Sequence, residues 1–400
     1  MTASPPQATP APPLVLPLLS AANFVIGMGA FVVIGILNPM AADLRLSPSQ
    51  AGYLMVVYAL SYAVLSPVLV SLTGGIGRRR VLAGAMALFA LAAAISALAP
   101  GPGTLFAARV LAAMGAGLTT PVAAAVAAGL SPPGRQGTAL ANVFLGFSLS
   151  QVLGVPLGSY VAYAHGWRLA FAIVALLALP VAALIWFRVP AGLQFRPASL
   201  ATLGRVLRNR PFLLALSFTS LFLSGSYTVF TYIAPLLDQR MGYGRDGITL
   251  ALALAGLGAV VGSWFGGRLA DRIGPTRTLA LVALTQLALQ PIFSVLPLPG
   301  PMVPALMVVW TLFGWGFMAP QQLRLIGFAS EDAGVVLALN AAAIYVGAAI
   351  GSAAGSAVLA RLGIDALGWA GAGFVALALA ALILSERHRP GQRSRAAPAR

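Results

Sequence analysis

The stretch LVLPLLSAANFVIGMGAFVVIGIL, residues 14–37, contains no charged side chain, and its reading decides the class of the protein. About 20 apolar residues in a helix cross the roughly 30 Å of hydrocarbon in a bilayer. Comparable stretches recur at 50–73, 81–99, 104–130, 138–163 and 169–187, then at 211–237, 248–266, 278–296, 302–322, 333–359 and 366–384. The composition agrees: 59% of the 400 residues are hydrophobic and 8% are charged, with a mean hydropathy of +0.92. Soluble domains carry about 25% charged residues. The sequence therefore predicts an all-α membrane protein with twelve transmembrane helices.

The charges that remain exclude several kinds of chemistry. All 24 basic residues are arginine, against eight acids, for a formal charge of +16. Without lysine there is no Walker phosphate-binding lysine and no amine for a Schiff base. Without cysteine there is no disulfide, iron–sulfur cluster or thiolate zinc site. The two histidines, His165 and His388, fall in polar connections. The expectation is a protein without metal, cofactor or enzymatic activity.

Arginine placement gives a topology. Eighteen arginines fall in the connections after spans two, four, six, eight and ten and in the tail; Arg45, Arg168, Arg240, Arg245 and Arg361 fall on the opposite side, and Arg109 lies inside span four. The positive-inside rule then places both termini in the cytoplasm of a bacterial inner membrane. It also accounts for the basic excess without nucleic acid. Residues 1–13, rich in proline and alanine and lacking arginine, read as a disordered cytoplasmic tail rather than a cleaved signal. The polar stretch 188–210 reads as a cytoplasmic linker between six-helix bundles at 14–187 and 211–385, with a second tail at 386–400. A weak repeat supports the division: Gly77–Arg80 corresponds to 274–277, and Asn142 to Asn340. Two such bundles around a midplane cavity are a common transporter design.

Several motifs resemble the major facilitator superfamily over nearly the whole chain. Gly267-Arg268-Leu269-Ala270-Asp271-Arg272-Ile273-Gly274, followed by Arg277, is similar to its signature loop. Arg109-Val110-Leu111 with Gly115 and Gly117 resembles the span-four signature of its drug-exporting branch, and Gly146 with Gly154-Val155-Pro156-Leu157-Gly158 resembles the antiporter motif. Residues 31–35, 41–44 and Gly166-Trp167-Arg168 are similar to twelve-helix exporters of the arabinose-efflux and chloramphenicol-resistance type. The resemblance implies two pseudo-symmetric bundles, with span five facing span eight and span two facing span eleven. It further implies that Arg109 serves coupling and that Asp271, with Arg272 beside it, forms a cytoplasmic gate with Arg135. Gly74 replaces the usual aspartate of the first loop copy. Glu331 and Asp332 could instead meet Arg78, Arg79 and Arg80, or all of these could be solvated loop charges.

Glycines repeat every four residues at Gly258, Gly262 and Gly266 and at Gly347, Gly351 and Gly355, with Gly146, Gly154 and Gly158 forming a comparable face. Small residues let helices approach closely in lipid. The stripes are either plain packing seams or surfaces that slide during transport. Pro156 is expected to bend span five, since it lacks a backbone donor and clashes with the preceding turn.

Arg109 stands out because a spanning-helix arginine costs about 2.5 to 3.5 kcal/mol on insertion scales. Either it snorkels to the surface, or it faces the cavity, held by carbonyls of span one or by Asn38. Polar and aromatic residues within apolar spans are the candidate cavity lining: Asn23, Tyr227, Thr231, Tyr232, Trp310, Trp315, Asn340 and Tyr345. Interfacial belts or packing are the alternative for the aromatic ones. No acid falls within a span, and Ala30 and Pro39 occupy the region where similar exporters often carry one. Asp238 and Asp43 are the remaining candidates for proton coupling. The sequence thus predicts a monomeric secondary transporter in the lipid bilayer, exporting a small drug-like molecule or sugar, with or without protons as partner. The alternatives are a uniporter and a solute sensor or scaffold on the same fold.

Overall fold

A computed structural model describes residues 14–132, 136–193, 208–328 and 333–388. The two tails, Arg135, Glu331 and Asp332 therefore lie wholly or largely outside the described residues. Every element among the described residues is helical. α1 is Val15–Asp43, α2 Pro48–Leu72, α3 Arg78–Ala97 and α4 Pro102–Gly129. α5 runs over Gln136–Leu149, passes through a π turn at Ser150–Gly154 and resumes at Val155–His165; α6 is Trp167–Arg188. α7 comprises Arg210–Phe230 and Ile233–Met241, α8 is Arg245–Ile273, and α9 is Pro275–Leu289 followed by a 3-10 turn at Gln290–Ser294. α10 comprises Met302–Trp315 and Met318–Ile326, α11 is Ala333–Arg361 and α12 is Leu367–Arg387.

Among the described residues, eleven helices are each long and apolar enough to cross a bilayer. α9 makes the twelfth span: fifteen α-helical and five 3-10 residues reach about 32 Å at about 1.5 and 2.0 Å per residue. Local sequence sets several boundaries. α2 begins at a capping box in which Ser47 and Gln50 satisfy each other's backbone N–H groups, with Pro48 in the first turn. α7 ends at Gly242, whose φ of 63° suits a residue without Cβ.

Four expected spans differ in detail. α1 continues past residue 37 to Asp43, and α7 continues past 237 to Met241, so Asp43 and Asp238 are helical residues rather than loop residues. α7 is interrupted at Thr231–Tyr232 and α10 at Gly316–Phe317. In α5 the irregularity is a π turn that ends just before Pro156. The missing proline donor is thus taken up by a shift in hydrogen-bond register ahead of it.

α1–α6 pack on one another, as do α7–α12, and the two groups meet through α2 against α11 and α5 against α8. The α2–α3 and α8–α9 connections lie on the arginine-rich face. The α1–α2 and α7–α8 connections lie on the opposite, arginine-poor face. The glycine stripes turn out to be seams within a group. A Cβ at Gly258, Gly262 or Gly266 would strike α10 at Val308, Leu312 or Gly316. Gly347, Gly351 and Gly355 abut α7, and Gly146, Gly154 and Gly158 abut α1. The glycine at the junction of α8 with α5 is Gly256, which lies against the backbone of Gln151 and Val152.

Candidate functional site

Arg109 projects from α4 into the interior and is 1% exposed. Its Nη1 donates to the Gly29 carbonyl at 2.8 Å and its Nη2 to the Ala30 carbonyl at 2.9 Å. The guanidinium carbon lies 4.3 Å from the centre of the Tyr58 ring. The side chain therefore does not snorkel. Two main-chain dipoles and a π face take the place of a carboxylate, an arrangement suited to the planar, multi-donor head of arginine. Asn38 has no part in it, because its amide donates to Asp238 at 3.0 Å.

From Tyr58 a row of rings leads across the junction of the two groups. Tyr62, one turn further along α2, stacks on Tyr345 of α11 at 3.7 Å between centroids, and Tyr58 meets the same ring at 6.3 Å. Phe31 of α1 contacts Tyr227 of α7 at 6.4 Å. Tyr227 then meets Phe230 at 6.1 Å, and Phe230 meets Trp310 of α10 at 5.9 Å. A small pocket between α7 and α10 is lined by Leu223, Ser226, Tyr227, Phe230, Trp310, Thr311, Gly314 and Trp315.

The structure thus gathers Tyr227, Trp310 and Trp315 around one pocket and places Tyr345 at the ring junction beside Arg109. Four other predicted lining residues lie elsewhere. Asn23 bonds to Leu19 within its own helix. Thr231 bonds to the Ser352 hydroxyl at 2.7 Å and Tyr232 to the Ser352 carbonyl at 2.9 Å, tying α7 to α11 where α7 is interrupted. Asn340 accepts from Thr219 at 2.7 Å, and Thr219 in turn accepts from Gln321 at 3.0 Å, in a buried network linking α7, α10 and α11. Buried amides and hydroxyls satisfy one another there. Sequence reasoning overlooked Tyr58 and Tyr62. Their signal was an i, i+4 aromatic pair, which shares one face of a helix.

The acids occupy the two faces rather than the core. Asp43 accepts from Trp167 Nε1 at 3.0 Å and pairs with Arg168, so it ties α1 to α6. Asp238 faces Asn38 at the arginine-poor end, where the Ser356 hydroxyl also donates to the Ser49 carbonyl at 3.0 Å. Neither acid lies opposite Arg109. Arg240 pairs with Asp365 and Arg245 with Asp246 on the same face. On the arginine-rich face, Asp271 and Arg272 are exposed, and Asp271 has no ion-pair partner among the described residues. Arg78 is 3% exposed and its backbone N–H donates to Leu193, Arg79 lies over the Trp186 ring at 5.1 Å, and Arg80 is exposed. Arg78 is therefore a buried residue packed near the end of α6, not a solvated loop charge. Arg324, expected in a polar connection, is likewise buried, with its Nε 2.7 Å from Glu386 and its guanidinium also bonded to Ser385. It fastens α10 to α12.

Residues 19–351 match the sequence profile described as Major Facilitator Superfamily. The chain is 32% identical over 379 residues to the inner membrane transport protein YdhP of Escherichia coli, covering 94% of this chain and 97% of that one. It is 34% identical over 295 residues to the chloramphenicol resistance protein of Streptomyces lividans, covering 70% and 74%. Its fold is similar to an inward-facing bacterial homologue of the human lysosomal transporter Spinster, with a TM-score of 0.79 at 17% identity over 96% of this chain and 98% of that one. Twelve apolar spans, an arginine buried at their centre and a match over most of the length agree: the chain belongs to the major facilitator superfamily of membrane transporters.

Proposed function

We propose that this chain exports a small organic molecule across the bacterial inner membrane by alternating access. Residues 14–187 and 211–385 act as the two moving bundles, and 188–210 as their linker. The observation that carries this reading is the set of rings that meet across the bundle junction near Arg109, with a small, largely apolar cleft between α7 and α10 next to them. The positive-inside rule supports placing the arginine-rich face in the cytoplasm. The Asn38–Asp238 and Ser356–Ser49 bonds then hold the outer side closed. The resistance relative supports the outward direction of transport.

A coupling group must face each side in turn, whereas Asp43 and Asp238 are both held at the arginine-poor face. We therefore assign Asp238 to the outer latch and the driving force to the substrate gradient and the membrane potential. The test is uptake into inverted vesicles with the pH gradient and the potential imposed separately, for wild type and Asp238→Asn. Accumulation should follow the potential in both proteins. Accumulation driven by the pH gradient in wild type and lost in Asp238→Asn would restore Asp238 as a proton carrier. Absence of any uptake across sugars and amphipathic aromatic compounds would favour a non-transporting sensor.

A further inference from the structure

The polar atoms of the cleft narrow the ligand's chemistry, an inference that rests on the transport reading above. Three buried donors along the ring row have no hydrogen-bond partner among the described residues: the indole Nε1–H of Trp310, the Nε–H of Arg109 and the hydroxyl of Tyr58. Their residues are 2%, 1% and 0% exposed. Arg109 touches the Tyr58 ring and bonds to the Ala30 carbonyl, the next residue, Phe31, touches the Tyr227 ring, and Tyr227 lines the same pocket as Trp310. The indole and the guanidinium can only donate, and neither can accept. A buried donor without a partner is unfavourable until an acceptor reaches it.

The charge pattern points the same way. Among the described residues, every acid is paired at one of the two faces, bonded to Asn38 or exposed, so Arg109 is a positive charge in the core with no carboxylate nearby. Between the low-dielectric walls of the bundles that charge repels a cation and attracts an anion far more strongly than in water.

We propose that the cleft takes an aromatic compound that bears carboxylate or carbonyl acceptors and no positive charge. Its ring lies among Tyr227, Phe230 and Trp310, and its acceptors meet the Trp310 indole and the Tyr58 hydroxyl beside Arg109. An anion of this kind would be driven outward by an inside-negative membrane potential without a proton carrier.

Three probes on one naphthalene ring, a carboxylate, a carboxamide and a trimethylammonium, are titrated by calorimetry into the purified full chain in lipid nanodiscs. The carboxylate and carboxamide should bind, and the trimethylammonium at least about tenfold more weakly. Trp310→Phe and Tyr58→Phe, which keep the ring and remove one donor, should each weaken the carboxylate about three- to tenfold, the range of one hydrogen bond. Equal or tighter binding of the trimethylammonium, unchanged affinity in both variants, or no binding by any probe would overturn the proposal. The probe comparison on wild type stands even where a variant fails to fold. A chain that exports organic cations keeps the transport reading and loses this one; a chain that binds the carboxylate but moves nothing in vesicles does the reverse.

Discussion

Arg109 shows how far a single residue can be read. Its cost in a spanning helix marked it from sequence, and the structure adds what sequence could not supply: two carbonyls of α1 and the face of Tyr58. Removing it should leave those groups with lipid-like neighbours and take away the only positive charge among the described core residues near the rings. We expect Arg109→Ala to lower transport at least about tenfold, while the amount of folded protein in the membrane changes little. Arg109→Lys should recover little, because one ammonium cannot address two carbonyls and a ring with the same planar fork. Wild-type transport by the alanine variant would reduce Arg109 to a packing residue. Other residues were less legible. Tyr58 showed in sequence only as half of an i, i+4 ring pair with Tyr62, because its meaning comes from Arg109 and Tyr345, which are distant in sequence. Asn340 and Thr231 looked like cavity polar groups, but buried hydrogen bonds claim both. Sequence lists the polar atoms in a helix, and only packing says which are already satisfied.

At the scale of elements, apolar length alone located the spans, since the bilayer imposes it on every helix. The interruptions of α7 and α10 do not show in hydropathy, and their signal is proline: Pro235 and Pro320 lie four residues past Thr231 and Gly316 and lack the N–H that would continue the helix onto those carbonyls. The glycine stripes were visible, but the helix each one faces was not. Their neighbours predict two different failures. Gly262 lies against the backbone of Leu312 inside one bundle, so Gly262→Val should reduce the yield of folded protein several-fold as α8 and α10 separate. Gly256 lies against Gln151 and Val152 of the other bundle, so Gly256→Val should push the bundles apart while each still folds. Ser356, 2% exposed at the arginine-poor end, reports that opening. In a Ser356→Cys background, Gly256→Val should speed reaction with a membrane-impermeant maleimide applied outside intact cells about three- to tenfold. Unchanged reactivity in a well-folded protein would mean that the α5–α8 junction does not set the closed state.

For the whole molecule, the bonds that join the bundles near the arginine-poor face become an argument about motion. Asn38 with Asp238 and Ser49 with Ser356 link α1 to α7 and α2 to α11 at that end. Each is a single polar contact at a bundle junction, and one hydrogen bond contributes about 1 kcal/mol net, small enough to break in every cycle. Alternating access requires both to part when the outer side opens. A covalent link at the same place should therefore hold one state. The native chain has no cysteine, so Ser49→Cys combined with Ser356→Cys can form one defined disulfide under mild oxidation. Oxidised vesicles should lose nearly all transport, while ligand binding from the cytoplasmic side persists, and a reductant should restore transport. Each single variant should be indifferent to oxidant. Should the oxidised double variant transport at the wild-type rate, the bundles do not separate at this end, and substrate passes by a route other than rocking about the ring junction.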